Sequence, residues 1–190
     1  MSCVRKAIGY AKVIRRKKGS VYRFFLLSLI KNLYSFADQI IFVSHGLNKY
    51  LTRTLKLKKE RVLTIYNGLD LNLVQNKAQI ESYPDLRKMQ NEKNIKIISI
   101  GRFSNGKDFV TIIKAFSLLK KKFKKIRLYL IGDGEMNKNL KYLVTEFKLE
   151  NDVIFLGWKD NVFPYLKLAD LFVFSSLHEG FARIIIEAMA

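Results

Sequence analysis

An α/β fold with parallel sheets and helices on both faces is what this sequence predicts, and three observations carry that prediction. From residue 95 onward, strand-like and helix-like segments alternate. The strands are near-continuous apolar runs, not alternating ones, as in a parallel sheet covered on both sides. The first three are each stopped by a glycine: Gly101, Gly132 and Gly157.

The elements follow in order. Ile95 to Gly101 reads as a strand. Lys107 to Phe123 reads as a helix, because Phe109, Ile112, Ile113, Phe116, Leu119 and Phe123 fall at helical spacing. Ile126 to Ile131 is a second strand, ended by Gly132-Asp133-Gly134. Asn137 to Phe147 is a helix, Val153 to Leu156 a strand, and Asn161 to Leu168 a short helix. Leu171 to Phe174 is a fourth strand, and Phe181 to Ala190 a further helix. Right-handed crossovers give these strands the order 3-2-1-4, with a ligand site at the carboxyl ends of strands one and four. The front half carries a helix over Val21 to Phe36 and a strand over Ala37 to Ser44. A helix from Gly46 to Leu55, capped by Ser44, and a strand from Arg61 to Tyr66 follow. Residues 71–94 are polar, contain Pro84, and read as a linker.

Composition limits the function classes. The chain has 190 residues, of which 49% are apolar, so it can build a core. One cysteine, Cys3, excludes a disulfide scaffold and a cysteine-based zinc site. Apolar runs such as Phe24 to Leu27 reach four residues, against roughly 18 for a membrane span. No signal peptide is read in the N-terminus. The net charge is +19, unevenly spread. Residues 1–70 hold 15 basic and 3 acidic side chains, residues 71–94 hold 4 and 3, and residues 95–190 hold 16 and 10. Arg15-Arg16-Lys17-Lys18 is the densest part. Such a field attracts polyanions, an anionic membrane or phosphorylated substrates. Lys120-Lys121-Lys122, by contrast, closes a helix, where cations complement the dipole. The Tyr22 to Leu33 stretch is either a buried helix or, with the basic run before it, one that rests on an anionic membrane.

Three features converge on the expected ligand site. Gly101-Arg102 ends the first strand, with Lys107 after it. Arginine suits bidentate phosphate contact and lysine a point charge. Glu179-Gly180-Phe181 follows the fourth strand at a helix mouth, where N–H groups can hold a phosphate. Glu187 lies eight residues after Glu179, about two turns into that helix. Trp158 reads equally as a packing residue or a base contact, and Gly132 and Gly134 as turn residues. Helix-turn-helix, RNP-like and zinc patterns are absent from the sequence, which argues against a nucleic-acid partner.

The series Gly101-Arg102-Phe103 with Lys107, Ile131-Gly132-Asp133-Gly134, Val153 to Gly157, Ala169 to Ser176, Glu179-Gly180-Phe181 and Glu187-Ala188-Met189-Ala190 resembles the C-terminal domain of group 1, family 4 retaining glycosyltransferases of GT-B fold. Ala37 to Ser44 and Ile65 to Asp70 resemble the last two strands of that family's N-terminal domain. The resemblance implies that residues 1–70 are the end of an acceptor-side Rossmann-like domain and residues 95–190 a truncated donor-binding one. It implies transfer of a sugar from a nucleoside-diphosphate sugar, UDP preferred, to a glycan or lipid-linked acceptor with retention. Arg102 and Lys107 would grip the diphosphate, Glu179 face the transferred sugar, and Glu187 hold the ribose. Gly157 and Trp158 would lie near the base, and Gly101, Gly180 and Phe181 would line the site. No metal would be required. Such an enzyme would be cytoplasmic, with peripheral contact to the inner face of the membrane. With the acceptor side mostly absent, an inactive fragment that keeps a nucleotide half-site is the competing expectation, alongside a basic polyanion binder.

Overall fold

The computed structural model describes residues 20–79 and 84–190. The basic run Arg15 to Lys18, on which part of the membrane reading rests, lies outside the described residues. Contacts divide the chain into two compact units.

In the first unit, helix α1 (Ser20–Ser35) precedes strand β1 (Ile40–Phe42), helix α2 (His45–Leu55) and strand β2 (Val62–Thr64). The two strands pair in parallel, Ile40 opposite Val62. Ser44 caps α2 as expected, its hydroxyl accepting from Leu47 N at 3.3 Å. Lys56 ends the helix in the left-handed region. Ile30, Tyr34, Ile40, Phe42, Leu51 and Leu55 form the core. Among the described side chains of α1, Ile30 and Tyr34 are inside, while Phe25, Leu29 and Leu33 are exposed.

The second unit is a parallel sheet of β3 (Ile95–Ile100), β4 (Ile126–Ile131), β5 (Val153–Gly157) and β6 (Leu171–Phe172). Its order is β5-β4-β3-β6, the predicted 3-2-1-4. Helices α3 (Leu71–Ala78), α4 (Pro84–Gln90), α5 (Phe109–Lys122), α6 (Asn137–Glu146), α7 (Phe163–Leu168) and α8 (Arg183–Met189) complete it. Successive strand residues face opposite layers. Ile97, Leu128 and Leu130 pack with Phe109, Ile113 and Phe116 of α5 and Leu140 and Val144 of α6. Ile98, Ile100, Tyr129 and Ile131 pack on the other face with Leu86, Met89 and Tyr165.

Residues 71–94 are therefore not a plain linker: they contain α3 and α4. Leu86 and Met89, one turn apart on α4, are 5% and 1% exposed and cover the second face of the sheet. The polar composition hid this pattern, and Pro84 sits in the first turn, where its missing N–H costs nothing.

Several boundaries also move: the strands read over Ala37 to Ser44 and Arg61 to Tyr66 shorten to Ile40–Phe42 and Val62–Thr64, and the helix read from Asn161 begins at Phe163. The fourth strand is Leu171–Phe172, not Leu171 to Phe174, although Val173 N still donates to Ile98 O at 2.9 Å. The helix read from Phe181 begins at Arg183. The helix read from Lys107 begins at Phe109, after a 3-10 turn over Asn105–Lys107. Lys120, near the end of α5, donates its ammonium to Lys124 O and Ile126 O, beyond the helix, and lies 2.8 Å from Asp152.

Two carboxylates tie the edges of the second unit. Asp170 accepts from Lys96 N at 2.7 Å and pairs with the Lys96 ammonium at 3.3 Å. The backbone donor, more than the ammonium, holds its carboxyl below the usual value. Asp85 on α4 accepts from the Tyr165 hydroxyl at 3.1 Å and pairs with Lys159 at 2.8 Å. Burial pushes its carboxyl up, but the bonds from Lys159, its own backbone and Tyr165 together hold it low. Both groups are more acidic folded than unfolded, so the unfolded chain takes up protons first as the pH falls. Their contribution is present above the ordinary aspartate value near pH 4 and is lost below it. Urea midpoints should therefore fall with acid below about pH 4, and Asp170→Asn should flatten that fall. An unchanged acid slope in Asp170→Asn would count against the role given to this bond.

Candidate functional site

The carboxyl ends of β3 and β4 are joined through backbone. Gly101 N donates to Ile131 O at 3.0 Å, Phe103 N to Asp133 O at 2.9 Å, and Met136 N to Phe103 O at 2.9 Å. The approach is so close that a Cβ on Gly132 would stand 1.9 Å from Gly101 O. On Gly134 it would stand 2.5 Å from Phe103 O, and both glycines have positive φ, 141° and 156°. They are turn and close-packing residues, as the sequence predicts. Asp133 locks the second loop by accepting from Asn137 Nδ2 at 2.6 Å and Gly134 N at 2.8 Å, which together hold its carboxyl low.

Two side chains of the site stand on the first loop. Arg102 is exposed, and its guanidinium lies 3.3 Å from the Glu135 carboxylate. Lys107 sits in the 3-10 turn before α5, not in the helix. Its stem passes close to Gly101, where an added Cβ would lie 3.8 Å from Lys107 Cδ. Its ammonium lies 5.3 Å from the centre of the Phe174 ring.

The segment after β6 holds this turn in place. Ser175 Oγ donates to Lys107 O at 3.0 Å and to Asp108 O at 2.8 Å. Ser176 Oγ and Leu177 N both donate to Gly106 O at 3.0 Å. Asp108, in the left-handed region at φ 50°, caps α5, its side chain accepting from Thr111 Oγ1 at 2.7 Å. The ends of strands one and four thus meet at the expected switch point, with a cationic turn pinned between them.

The other expected residues are distributed differently. Gly157 ends β5 at φ 71°, where a bulge shifts the register, and its carbonyl accepts from Gly132 N at 2.9 Å. Trp158 is 70% exposed, so it is not a packing residue, and its indole N–H donates to Asp160 at 3.1 Å. Glu187 lies one turn into α8, not two, because the helix starts late. Its carboxylate is 2.8 Å from Arg183 Nε. It borders a cavity of about 330 Å³ with Val74, Ala78, Phe163 and Leu166, whose lining includes neither Arg102 nor Lys107. Glu179, Gly180 and Phe181 group by contact with the first unit. There the Phe181 ring lies 6.0 Å from Tyr66, which meets His45 edge-on at 5.6 Å. Glu179 is therefore not on a helical face shared with Glu187.

Sequence reasoning assigned no role to Glu135, Phe174, Ser175 or Ser176. The two serines stood in the motif, directly after an apolar strand. Their bonds to the 105–108 turn are made across more than sixty residues. Among the described residues no three His, Cys, Asp or Glu side chains converge as a metal site, and no helix is long and apolar enough to cross a membrane.

A parallel α/β sheet whose order reverses at such a switch point defines the class of open, doubly wound α/β proteins. Sequence comparison makes this specific. Residues 85–190 match the family of Glycosyl transferases group 1, and residues 9–73 match Glycosyltransferase Family 4. The chain belongs to the group 1 glycosyltransferases. It is 30% identical over 188 residues to the N-acetylgalactosamine-N,N'-diacetylbacillosaminyl-diphospho-undecaprenol 4-alpha-N-acetylgalactosaminyltransferase of Campylobacter jejuni, covering 99% of this chain and 47% of that protein. It is 29% identical to an uncharacterised glycosyltransferase of Methanocaldococcus jannaschii, covering 93% of this chain and 43% of that one. The chain thus spans about half the length of these relatives. Among solved structures, Anabaena HepE in complex with UDP-glucose matches with a TM-score of 0.71 and 27% identity, over 86% of this chain and 45% of that one.

Proposed function

We propose that this chain carries the donor side of a glycosyltransferase. The reaction moves a sugar from a nucleoside-diphosphate sugar, UDP preferred, to a glycan or lipid-linked acceptor with retention at the anomeric carbon. The observation that carries this reading is the pinned turn: Arg102 and Lys107 stand on one short loop at the carboxyl end of β3, held by Ser175 and Ser176. When the bond between sugar and phosphate breaks, its electron pair leaves with the diphosphate. Cations already in place stabilise that charge without reorganisation. With two cations serving the diphosphate, no metal ion is needed.

The remaining roles rest on the family pattern. Glu179 faces the transferred sugar and Glu187, steadied by Arg183, meets the ribose. Gly157 and Trp158 lie beside the base, and Gly180 and Phe181 continue the site. Anabaena HepE, solved with UDP and with UDP-glucose, supports a UDP donor. The undecaprenol-linked acceptor in the name of the Campylobacter relative supports a lipid-linked acceptor. A lipid-linked acceptor also supports the reading of an enzyme that works at the cytoplasmic face of a membrane.

The test is thermal stability of the purified chain titrated with UDP, GDP and their sugars. A ligand that binds only the folded state raises the melting temperature by mass action. UDP should raise it by a few degrees, with or without EDTA, and Arg102→Ala should abolish the rise. A cooperative melt that no nucleotide moves would refute the donor-site reading. A shift that only RNA or DNA produces would favour polyanion binding, and it would weaken steeply with salt.

A further inference from the structure

The Arg102–Glu135 pair is not accounted for by donor binding, since it sets a carboxylate against the guanidinium read as a diphosphate ligand. Both side chains are largely exposed, 74% and 51%, at a separation of 3.3 Å. Their backbones, in contrast, are fixed. Phe103 N bonds to Asp133 O, Met136 N to Phe103 O, and Asp133 ties Gly134 and Asn137. Gly132 and Gly134 let the two loops meet at backbone distance. A rigid frame thus presents a weak, solvent-accessible ion pair. Exposed pairs of this kind contribute little and are readily exchanged. A phosphate offers two oxygens and more charge, so it wins the guanidinium.

We infer that Glu135 is a displaceable counter-ion of Arg102, which competes with the diphosphate for the guanidinium and eases release of the nucleoside diphosphate product. The inference rests on the reading of Arg102 as a phosphate ligand. Its logic lies in the charge balance of the reaction. In the donor, the outer phosphate is esterified to the sugar. In the product it is a free terminal phosphate, which carries up to one further negative charge at neutral pH. The cations that stabilise the departing charge therefore hold the product more tightly than the donor. A carboxylate 3.3 Å from Arg102 opposes that retention. Glu135 acts through Arg102 and is not itself a catalytic residue.

The experiment is calorimetric titration with UDP of the chain and its Glu135→Gln, Glu135→Asp and Arg102→Ala variants. Glu135→Gln should bind UDP about two- to fivefold more tightly at low salt, with the gain shrinking in high salt. Glu135→Asp keeps the charge and should stay near the parent affinity. Arg102→Ala should lose UDP. A merely structural role for Glu135 would weaken binding or leave it unchanged. Either outcome in Glu135→Gln, with Arg102→Ala still defective, overturns the counter-ion role and leaves the phosphate site standing. Parent chain that binds no UDP, or Arg102→Ala that binds it normally, overturns the phosphate site and this inference with it. Matching melting curves in the absence of nucleotide establish that the variants are folded.

Discussion

Gly132→Ala is expected to destabilise the second unit by about 3 kcal/mol or more, seen as a fall in melting temperature of roughly 6–12 °C. Two causes act together. The residue has φ 141°, a region that an L side chain rarely enters, and its Cβ would stand 1.9 Å from Gly101 O. The contact is with backbone, so no rotamer change relieves it. Relief requires β3 and β4 to part at their carboxyl ends, the place where Gly101 N bonds to Ile131 O and Gly132 N to Gly157 O. Gly157→Ala is the control. It too has a positive φ, 71°, but nothing lies within 4 Å of its added Cβ. It should cost only about 1 kcal/mol, the penalty of the left-handed region alone. Thermal and urea denaturation of both variants would check this. Equal losses in the two would show that conformational strain, not the approach of the two loops, sets the cost.

Under the proposed sugar transfer, Lys107→Met is expected to lower kcat/KM by about 100-fold or more, with the fold intact. Methionine keeps the length and the apolar stem that passes over Gly101, and it loses only the ammonium. The 3-10 turn is held by hydrogen bonds to carbonyls of residues 106–108, none of which involves the Lys107 side chain. The loss should therefore fall on the reaction. It should be largest in kcat if the ammonium acts on charge that develops as the diphosphate leaves. Steady-state kinetics with a UDP-sugar donor would measure it. Turnover within threefold of the parent enzyme would remove Lys107 from the chemistry.

Much of the fold was legible because apolar strands and helical periods are local signals. The strand order follows from Ile95–Ile100, Ile126–Ile131, Val153–Gly157 and Leu171–Phe172 once right-handed crossovers are imposed. Residues 71–94 misled because Val74, Leu86 and Met89 are isolated apolar anchors in a polar segment, and burial of the last two against Tyr129 and Tyr165 is a long-range event. The start of α8 misled because Phe181 and Ala182 are apolar and helix-compatible, whereas Phe181 is engaged with Tyr66. At the site, Gly101, Arg102 and Lys107 were legible as a spacing. Glu135, Phe174, Ser175 and Ser176 were not, since a hydroxyl or a carboxylate acquires a role only from the partner it meets.

By itself the sequence determined the strands, most of the helices, and where glycines end the strands. Those properties reside in side-chain chemistry and short spacing, which persist whatever the distant chain does. The tertiary structure alone decided that α4 covers the sheet, that Trp158 stands in solvent, and that Ser175 and Ser176 clamp the turn carrying Lys107. It alone set Glu135 against Arg102. Each of these depends on backbone groups far apart in sequence arriving within hydrogen-bond or van der Waals reach, and only packing brings them there.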